Sequence, residues 1–337
     1  MQAYLFKTMQ DHKVQCNLCH HRCVINNGKR GRCQVRQNID GKLYSLVYGK
    51  VVARNVDPIE KKPLFHFFPG SQSYSIATVG CNFKCKFCQN ADIAQLPRDH
   101  KGAIMGKEMT PEAIVADAKK NGCQSIAYTY TEPTVFFEFA HDIAKRAHEQ
   151  GISNVFVSNG YMTSEALDMI DPYLDAANVD LKAFNAEFYR KYCGAELEGV
   201  KETLIQMKSR GVFLEVTTLI IPGLNDDTEE LTQLASFIAT SLGADTPWHI
   251  SRFHPTYKLT DRPPTPFQTL TTAYNIGLDA GLRYVYTGNV PGEDTEKTYC
   301  HACGKVIIDR WGFNVTNYAI SSGKCTYCGA RIDGVGL

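Results

Sequence analysis

The sequence lacks any marked excess of one charge, since its 337 residues contain 36 Lys and Arg against 35 Asp and Glu, for a formal net charge of +1. Without a large positive field, neither electrostatic steering nor counterion release favours a nucleic-acid binder or a protein held on an anionic membrane. No run approaches the roughly 18 apolar residues that a membrane-spanning helix needs. Residues 1–7 show no basic stretch followed by an apolar one, so we expect no secretory signal and a cytoplasmic protein.

The cysteines give no support for a disulfide framework, because 13 is an odd number and no signal for an oxidising compartment is present. Eleven of them form three clusters, and two stand alone. The clusters are Cys16, Cys19, Cys23 and Cys33; Cys81, Cys85 and Cys88; and Cys300, Cys303, Cys325 and Cys328, with Cys123 and Cys193 as the single ones. Clustered thiols in a reducing compartment indicate metal sites, and we interpret the two single thiols as small buried hydrophobes.

Between residues 74 and 289, short apolar runs alternate with helical patterns. Strands are predicted over 74–78, 125–130, 154–158, 177–182, 212–221, 249–253 and 284–287. Thr110 before Pro111 is a helix start, and further starts are expected at Ser164 and Thr228. Repeated strand–helix alternation predicts an α/β fold with a parallel sheet. Six or seven such units predict a partial (β/α)6-type barrel over residues 73–290, between cysteine-rich arms at 1–72 and 291–337.

The central cysteines, Cys81, Cys85 and Cys88, follow the first predicted strand with C-x3-C-x2-C spacing. Thiolates are the usual ligands of iron–sulfur clusters, and three thiolates leave one iron of a cubane without a protein ligand. An open metal position can chelate a substrate. A zinc site or chance thiols are the alternatives, although three cysteines without a fourth suit zinc poorly.

The segment 80–89 resembles the radical S-adenosylmethionine (SAM) superfamily. In that superfamily the open iron of a [4Fe-4S] cluster binds the amino and carboxylate groups of SAM. Electron transfer then cleaves SAM to methionine and a 5′-deoxyadenosyl radical, which abstracts hydrogen. The resemblance implies that Phe87 packs beside the adenine, and that a reductant such as flavodoxin or ferredoxin supplies the electron.

The ends of the next predicted strands carry further resemblance. Tyr-Thr-Glu-Pro at 130–133 stands where the superfamily has Gly-Gly-Glu-Pro, which implies that Thr131 and Glu132 hold the SAM amino group. Ser158 and Asn159 match a SAM-contacting segment of glycyl-radical-enzyme activases, although Val157 stands where they have a carboxylate. Glu132 also suits the N-terminus of a helix as an ordinary acid.

Asp180 and Lys182 match the Asp-Leu-Lys of the same activases, and strand alternation puts both on one face. The resemblance implies that this pair acts at the catalytic site and holds part of SAM; a structural ion pair is the alternative. His254, after the sixth strand, matches a histidine that touches the adenosyl group, or it is a structural histidine. Residues 286–289, including Asn289, end the last strand with no assigned role.

The combination of motifs narrows the resemblance. Asp-Pro-Ile-Glu-Lys-Lys-Pro-Leu-Phe-His at 57–66, together with the terminal cysteines, is similar to the AmmeMemoRadiSam-system radical SAM enzymes, relatives of pyruvate formate-lyase activase. That resemblance implies an oxidoreductase-like enzyme with a functional link to Memo-like and AMMECR-type proteins. It does not identify the substrate.

The two terminal four-cysteine sets are predicted metal sites. Cys300, Cys303, Cys325 and Cys328 form two C-x2-C pairs, which favours a zinc-ribbon-like arm with structural zinc over an auxiliary iron–sulfur cluster. Cys16, Cys19, Cys23 and Cys33 are compatible with zinc or a full cubane, with a slight preference for zinc. His20 and His21 lie among them as possible substitute ligands.

The sequence therefore favours a radical SAM enzyme that abstracts hydrogen from an unidentified substrate. A glycyl-radical-enzyme activase acting on a protein glycine is the enzymatic alternative. A non-enzymatic zinc-binding scaffold is the other, and the central cysteines and the Asp180–Lys182 pair speak against it.

Overall fold

The N-terminal part of the chain is built from short antiparallel strands. The structure, a computed structural model, describes residues 1–288 and 294–337. The first strands are β1 (Phe6–Thr8), β2 (Val14–Cys16), β3 (Val24–Ile25), β4 (Arg36–Ile39), β5 (Lys42–Ser45) and β6 (Lys50–Val51). β1, β2 and β3 form one small sheet, and β4 pairs with β5. Such strands bury little surface alone, so Val14 and Leu43 pack into the main core of the protein.

A central eight-stranded sheet follows, with its strands in the order β15-β14-β13-β12-β11-β10-β8-β7. The bounds are β7 (Ala53–Pro58), β8 (Gln72–Ala77), β10 (Ser125–Tyr128), β11 (Ser153–Ser158), β12 (Ala176–Asp180), β13 (Phe213–Ile220), β14 (Trp248–Arg252) and β15 (Val285–Gly288), while β9 (Lys107–Glu108) pairs with β6. All neighbours from β8 to β15 are parallel, and β7 is antiparallel to β8. The seven predicted strands and the α/β class are confirmed, and β7 adds an edge strand from the segment assigned to the N-terminal arm.

Helices connect the parallel strands. They are α1 (Ala91–Ala94), α2 (Leu96–Asp99), α3 (Pro111–Lys120), α4 (Phe137–His148), α5 (Ser164–Ile170), α6 (Ala186–Phe188), α7 (Leu197–Ser209), α8 (Thr228–Phe237) and α9 (Phe267–Asp279). Shorter turns of 3-10 helix occur at Gln10–His12, Ile59–Lys61, Pro133–Phe136, Asp171–Tyr173 and Asp294–Glu296, and of π-helix at Tyr189–Cys193 and Ile238–Leu242. The Thr110 hydroxyl caps α3 as predicted, whereas Thr163 and Asp227 cap α5 and α8. No helix in the described ranges is long and apolar enough to cross a membrane.

The segment after β7 packs against the central sheet near the end where the parallel strands begin. Ile59, Leu64 and Phe67 pack there against residues that include Ala176, the first residue of β12. The Asn178 side chain holds this segment by donating to the Pro63 carbonyl at 2.8 Å. This segment therefore covers the end of the sheet where the parallel strands begin. The central cysteines lie at the opposite end, where the strands finish.

The C-terminal arm is a small unit with its own core. Its strands are β16 (Thr298–Tyr299), β17 (Val306–Trp311), β18 (Asn314–Tyr318), β19 (Ile320–Ser321) and β20 (Lys324–Cys325). Ile307, Ile308 and Ile320 form part of that core. His66 attaches the arm to the sheet, since its Nδ1 lies 2.7 Å from the Asp333 carbonyl oxygen. The predicted boundary at 290/291 and Asn289 fall outside the described residues.

Candidate active site

The three central cysteines lie in the loop that leaves the carboxyl end of β8. Gly80 opens this loop with φ 104°, and a Cβ there would come within 2.6 Å of Val35. Glycine is needed because it adopts this backbone conformation without a side-chain clash. The backbone N–H of Lys84 donates to the Cys193 carbonyl at 2.7 Å, which fixes the middle of the loop against the π-helical turn.

The three central thiols stand farther apart than a single zinc ion would hold them. Among the described residues, Cys81, Cys85 and Cys88 do not form a group with sulfurs all within 4.8 Å of one another. A zinc ion with Zn–S bonds of about 2.3 Å would draw its thiolates to about 3.8 Å. Burial raises the pKa of Cys81 and brings that of Cys88 to about 11, so a metal that binds these thiols would displace their protons.

Glu132 is buried and acts as a shared hydrogen-bond acceptor. Its Oε1 accepts from the backbone N–H of Thr134 at 3.0 Å and from the Ser158 hydroxyl at 2.9 Å, and its Oε2 accepts from the Asn159 N–H at 2.8 Å. Burial raises its pKa although these hydrogen bonds oppose the shift. The carboxylate therefore joins the ends of β10 and β11, and it also starts the turn at Pro133–Phe136, as the helix-terminus interpretation expected.

Asn159 connects Glu132 to the cysteine loop. Its Nδ2 donates to the Asn82 Oδ1 at 2.7 Å and lies 3.7 Å from the Cys81 sulfur. Two buried polar atoms beside these contacts, Asn159 Oδ1 and Asn82 Nδ2, have no hydrogen-bond partner. Buried polar atoms are rarely left unpaired, so an acceptor and a donor next to Cys81 fit a site that takes a polar ligand.

Tyr130 and Thr131 replace two glycines of the superfamily pattern, and the backbone retains a glycine-like geometry. Tyr130 has φ 61°, a left-handed conformation that costs a non-glycine residue about 1–2 kcal/mol. Its hydroxyl donates to the Asp57 carboxylate, which anchors the strained residue. Thr131 donates to the Thr78 carbonyl at 2.9 Å. The two side chains thus tie the end of β10 to its neighbours.

Asp180 and Lys182 form an ion pair, with 2.7 Å between Lys182 Nζ and Asp180 Oδ2. Burial alone would lower the Lys182 pKa, but Asp180 and the thiols of Cys85 and Cys193 raise it overall. Lys182 Nζ also lies 6.0 Å from the centre of the buried Phe87 ring. A cation and a carboxylate therefore stand at the end of β12, next to the cysteine loop.

Two residues outside the predicted set of site residues also shape the site. Cys193 is fully buried, and its interaction with the Cys85 thiol is the largest cause of the raised pKa of Cys85. Asn225 donates to the carbonyls of Lys182 at 2.7 Å and Leu219 at 2.9 Å, so it joins the ends of β12 and β13. A lone cysteine carries no spacing signal, but Asn225 stands in the Pro-Gly-Leu-Asn segment at 222–225.

The remaining predicted residues lie in three places. His254 is exposed beyond the end of β14. Cys300, Cys303, Cys325 and Cys328 converge in the C-terminal arm, with their sulfurs all within 4.8 Å of one another. Cys16, Cys19, Cys23 and Cys33 line one cavity together with Asn82 of the cysteine loop.

Comparisons with known proteins agree with this geometry. Residues 75–235 match the radical SAM superfamily. The chain is 48% identical over 334 residues to the uncharacterized protein MJ0808 of Methanocaldococcus jannaschii, with 98% of each chain covered. It is 24% identical to the pyruvate formate-lyase-activating enzyme of Clostridium pasteurianum, over 47% of this chain and 66% of that protein.

The chain belongs to the radical SAM superfamily. It is a radical SAM enzyme related to the activating enzymes, and membership implies a [4Fe-4S] cluster and SAM. The fold agrees, since the crystal structure of Streptococcus suis SuiB bound to SAM aligns with a TM-score of 0.51 at 13% identity, covering 68% of this chain and 53% of that one. At that identity the likeness concerns the fold alone. The superfamily match begins within β8, covers its cysteine loop, and ends within α8.

Proposed function

We propose that Cys81, Cys85 and Cys88 hold a [4Fe-4S] cluster with one open iron, and that the enzyme abstracts hydrogen from a substrate still to be identified. When bound, the cluster supplies the electron that cleaves SAM to methionine and a 5′-deoxyadenosyl radical. The observation that carries the proposal is Asn159, whose side chain contacts both Asn82 and the Cys81 sulfur and keeps one buried oxygen unpaired.

The residues around the thiols have separate roles in this proposal. Glu132 positions Asn159 and Ser158 through hydrogen bonds, so it acts on SAM through its neighbours. Asp180 and Lys182 present one negative and one positive charge, which suit the amino and carboxylate groups of SAM. Phe87 offers a flat apolar face beside Lys182 for the adenine. Thr131 fixes the backbone at the end of β10. His254 is exposed, so in this proposal it would contact the adenosyl group from the solvent side of the site.

The test uses anaerobically purified and reconstituted protein that is reduced and given SAM. We expect 5′-deoxyadenosine from the wild type and none from Cys81→Ala/Cys85→Ala/Cys88→Ala. Cys123→Ala is the matched control, because Cys123 is also buried but stands outside every cluster. Equal amounts of 5′-deoxyadenosine from the wild type and the triple variant would contradict the proposal.

A glycyl-radical-enzyme activase is the second candidate, supported by relatives that carry this name. These include the putative glycyl-radical enzyme activating enzyme MJ1227 of Methanocaldococcus jannaschii, which is 25% identical over 51% of this chain and 70% of its own length. A protein substrate would acquire a stable glycyl radical, visible as an electron paramagnetic resonance (EPR) signal on a separate chain. The narrower AmmeMemoRadiSam assignment, with its Memo-like and AMMECR-type links, rests on the 57–66 segment together with the terminal cysteines and Tyr-Thr-Glu-Pro at 130–133.

We also propose that the C-terminal thiols bind structural zinc. Cys300 and Cys328 sulfurs lie 3.7 Å apart, and those of Cys303 and Cys325 lie 3.9 Å apart. These separations match the edge of about 3.8 Å for a tetrahedron of thiolates around zinc. The arm has a small apolar core, so a metal ion would supply much of its stability.

A further inference from the structure

The N-terminal cysteines surround a defined space in the molecule. Cys16, Cys19, Cys23 and Cys33 line one small cavity, whose wall also includes Leu18 and other apolar side chains. Cys16 ends β2, Cys23 comes directly before β3, and the Cys16 N–H donates to the Cys23 carbonyl at 2.9 Å. Cys33 arrives from the loop before β4. The fold thus brings four thiols from separate segments to one cavity.

The separation of these thiols differs from that in the C-terminal arm. Within the part of the chain that the structure describes, the C-terminal set is the one group of three or more candidate ligand atoms that all lie within 4.8 Å of one another. No three of the N-terminal thiols meet that limit, so they stand farther apart than one tetrahedral zinc ion would hold them. Thiolates on a cubane lie about 6 Å apart, because iron and sulfide atoms fill the space between them.

The two histidines beside these cysteines have hydrogen-bond partners of their own, although His21 also lines the cavity. His21 Nε2 lies 3.0 Å from the Asn82 carbonyl oxygen, and its Nδ1 lies 3.1 Å from Arg32 Nη1. His20 Nε2 lies 3.4 Å from the Thr203 hydroxyl. With these contacts in place, both ring nitrogens of His21 and Nε2 of His20 are occupied, and we take the four cysteines as the ligand set.

Arg36 supplies buried positive charge at the same cavity. It lines the cavity and is 2% exposed, and its electrostatic partners include Cys16 and Cys33. Glu138 accepts from its Nη1 and Nη2 at 2.8 and 2.6 Å, but its Nε has no hydrogen-bond partner. A donor left unpaired in the interior is costly unless a ligand completes it. An anionic metal–thiolate centre in the cavity would place negative charge beside this guanidinium.

We propose that Cys16, Cys19, Cys23 and Cys33 bind a second [4Fe-4S] cluster, with one thiolate on each iron. Such a cluster has no open iron and so cannot chelate SAM as the Cys81 site does. Asn82 lines this cavity and directly follows Cys81, so the two clusters would be neighbours. The proposal concerns metal content alone and does not depend on the hydrogen-abstraction chemistry.

The test measures the metal content of the full chain after the three ligands of the proposed Cys81 cluster have been replaced. Cys81→Ala/Cys85→Ala/Cys88→Ala is reconstituted anaerobically, and iron, sulfide and zinc are counted per chain. We expect about four irons and four sulfides, with the Mössbauer and EPR signatures of a cubane. The wild type and the Cys123→Ala control should each hold about eight irons. Adding Cys19→Ala and Cys33→Ala to the triple variant should remove the remaining iron and leave the C-terminal metal in place.

Two results would overturn the proposal. Zinc in place of iron in the triple variant, at about two ions per chain, would make the N-terminal set a second zinc site. Iron absent from the triple variant, with zinc at one ion or fewer, would show that these thiols bind no cluster. Because the decisive variant leaves the N-terminal residues intact, misfolding of the N-terminal variant does not affect the outcome. The result of the 5′-deoxyadenosine assay tests the proposed function and does not decide whether the N-terminal cysteines bind a second cluster.

Discussion

Glu132 Oε2 accepts the backbone N–H of Asn159 at 2.8 Å, and this bond places the Asn159 side chain beside Cys81. The carboxylate is buried and has no contact of its own with the thiols in hydrogen-bond range. Glu132 is therefore a positioning residue: it sets the distance between the ends of two strands and the cysteine loop.

Glu132→Gln tests this role. The amide can accept at one atom only, so a buried donor of Ser158, Asn159 or Thr134 loses its acceptor, at a cost of about 1–3 kcal/mol. We expect SAM binding to weaken roughly tenfold, which corresponds to about 1.4 kcal/mol, with the iron content unchanged. Titration of reconstituted protein with SAM measures this. Glu198→Gln, on an exposed side chain of α7, is the control, and equal affinities in the two variants would refute the role.

Lys182→Met tests whether the ion pair at the end of β12 binds SAM or only supports the fold. If Lys182 holds the SAM carboxylate, its loss removes a charge-assisted hydrogen bond of about 1.5–3 kcal/mol, and the dissociation constant rises about tenfold or more. Lys258→Met is the matched control, because Lys258 also pairs with one aspartate but is exposed. A lowered melting temperature with unchanged SAM affinity would assign the pair to structure.

The two tryptophans of the chain allow a matched test of packing. Trp248 is fully buried, and its Nε1–H donates to the Thr218 hydroxyl at 2.9 Å, whereas Trp311 is 71% exposed. We expect Trp248→Ala to lower the free energy of unfolding by about 3–5 kcal/mol. Trp311→Ala should change it by about 0.5 kcal/mol or less. Denaturant titration compares them, and similar losses would show that the sheet core does not depend on Trp248.

His66 makes stability depend on pH at the joint between the sheet and the C-terminal arm. Burial lowers its pKa from 6.5 to about 4, and its ring lies 2.6 Å from the Tyr286 hydroxyl and 2.7 Å from the Asp333 carbonyl. The unfolded chain therefore binds this proton more readily than the folded one between pH 6.5 and 4. Stability is fully present above pH 6.5 and falls as the pH drops through that window, by about 3 kcal/mol.

The measurement is the unfolding free energy of the wild type and His66→Gln across this window. Glutamine keeps hydrogen-bonding capacity but does not titrate there, so its curve should be flatter. Loss of metal from the cysteines in acid affects both proteins alike, so the difference between the curves isolates His66. Parallel curves would show that other groups cause the acid sensitivity.

Removal of the C-terminal metal should loosen only the arm. Cys325→Ser removes one ligand of the set at Cys300, Cys303 and Cys328, and we expect about one zinc ion per chain to be lost. Proteases should then cleave the arm faster, because its small core lacks the metal. The iron content should stay unchanged, as in a Cys123→Ser control. A variant that keeps its zinc, or loses iron in its place, would contradict this assignment.

Much of the sheet follows from local patterning. Each of the seven parallel strands was predictable because a buried strand is a short apolar run between helical segments that carry caps. Thr110 before Pro111 located the start of α3 correctly. β7 was not predicted, because its burial pattern is mixed and its partner β8 lies beyond the 59–71 segment. Edge pairing of this kind depends on tertiary contacts that local sequence does not encode.

The sequence by itself determined the class of metal chemistry, since C-x3-C-x2-C after a strand is a local arrangement that a single loop can satisfy. Only the tertiary structure decided how far apart the thiols stand. The C-terminal and N-terminal sets each have four cysteines, yet one converges to sulfur separations of 3.7 and 3.9 Å and the other surrounds a cavity. Spacing along a chain limits only how far apart two residues can lie. The packing of the strands and loops around them sets the distance at which they stay.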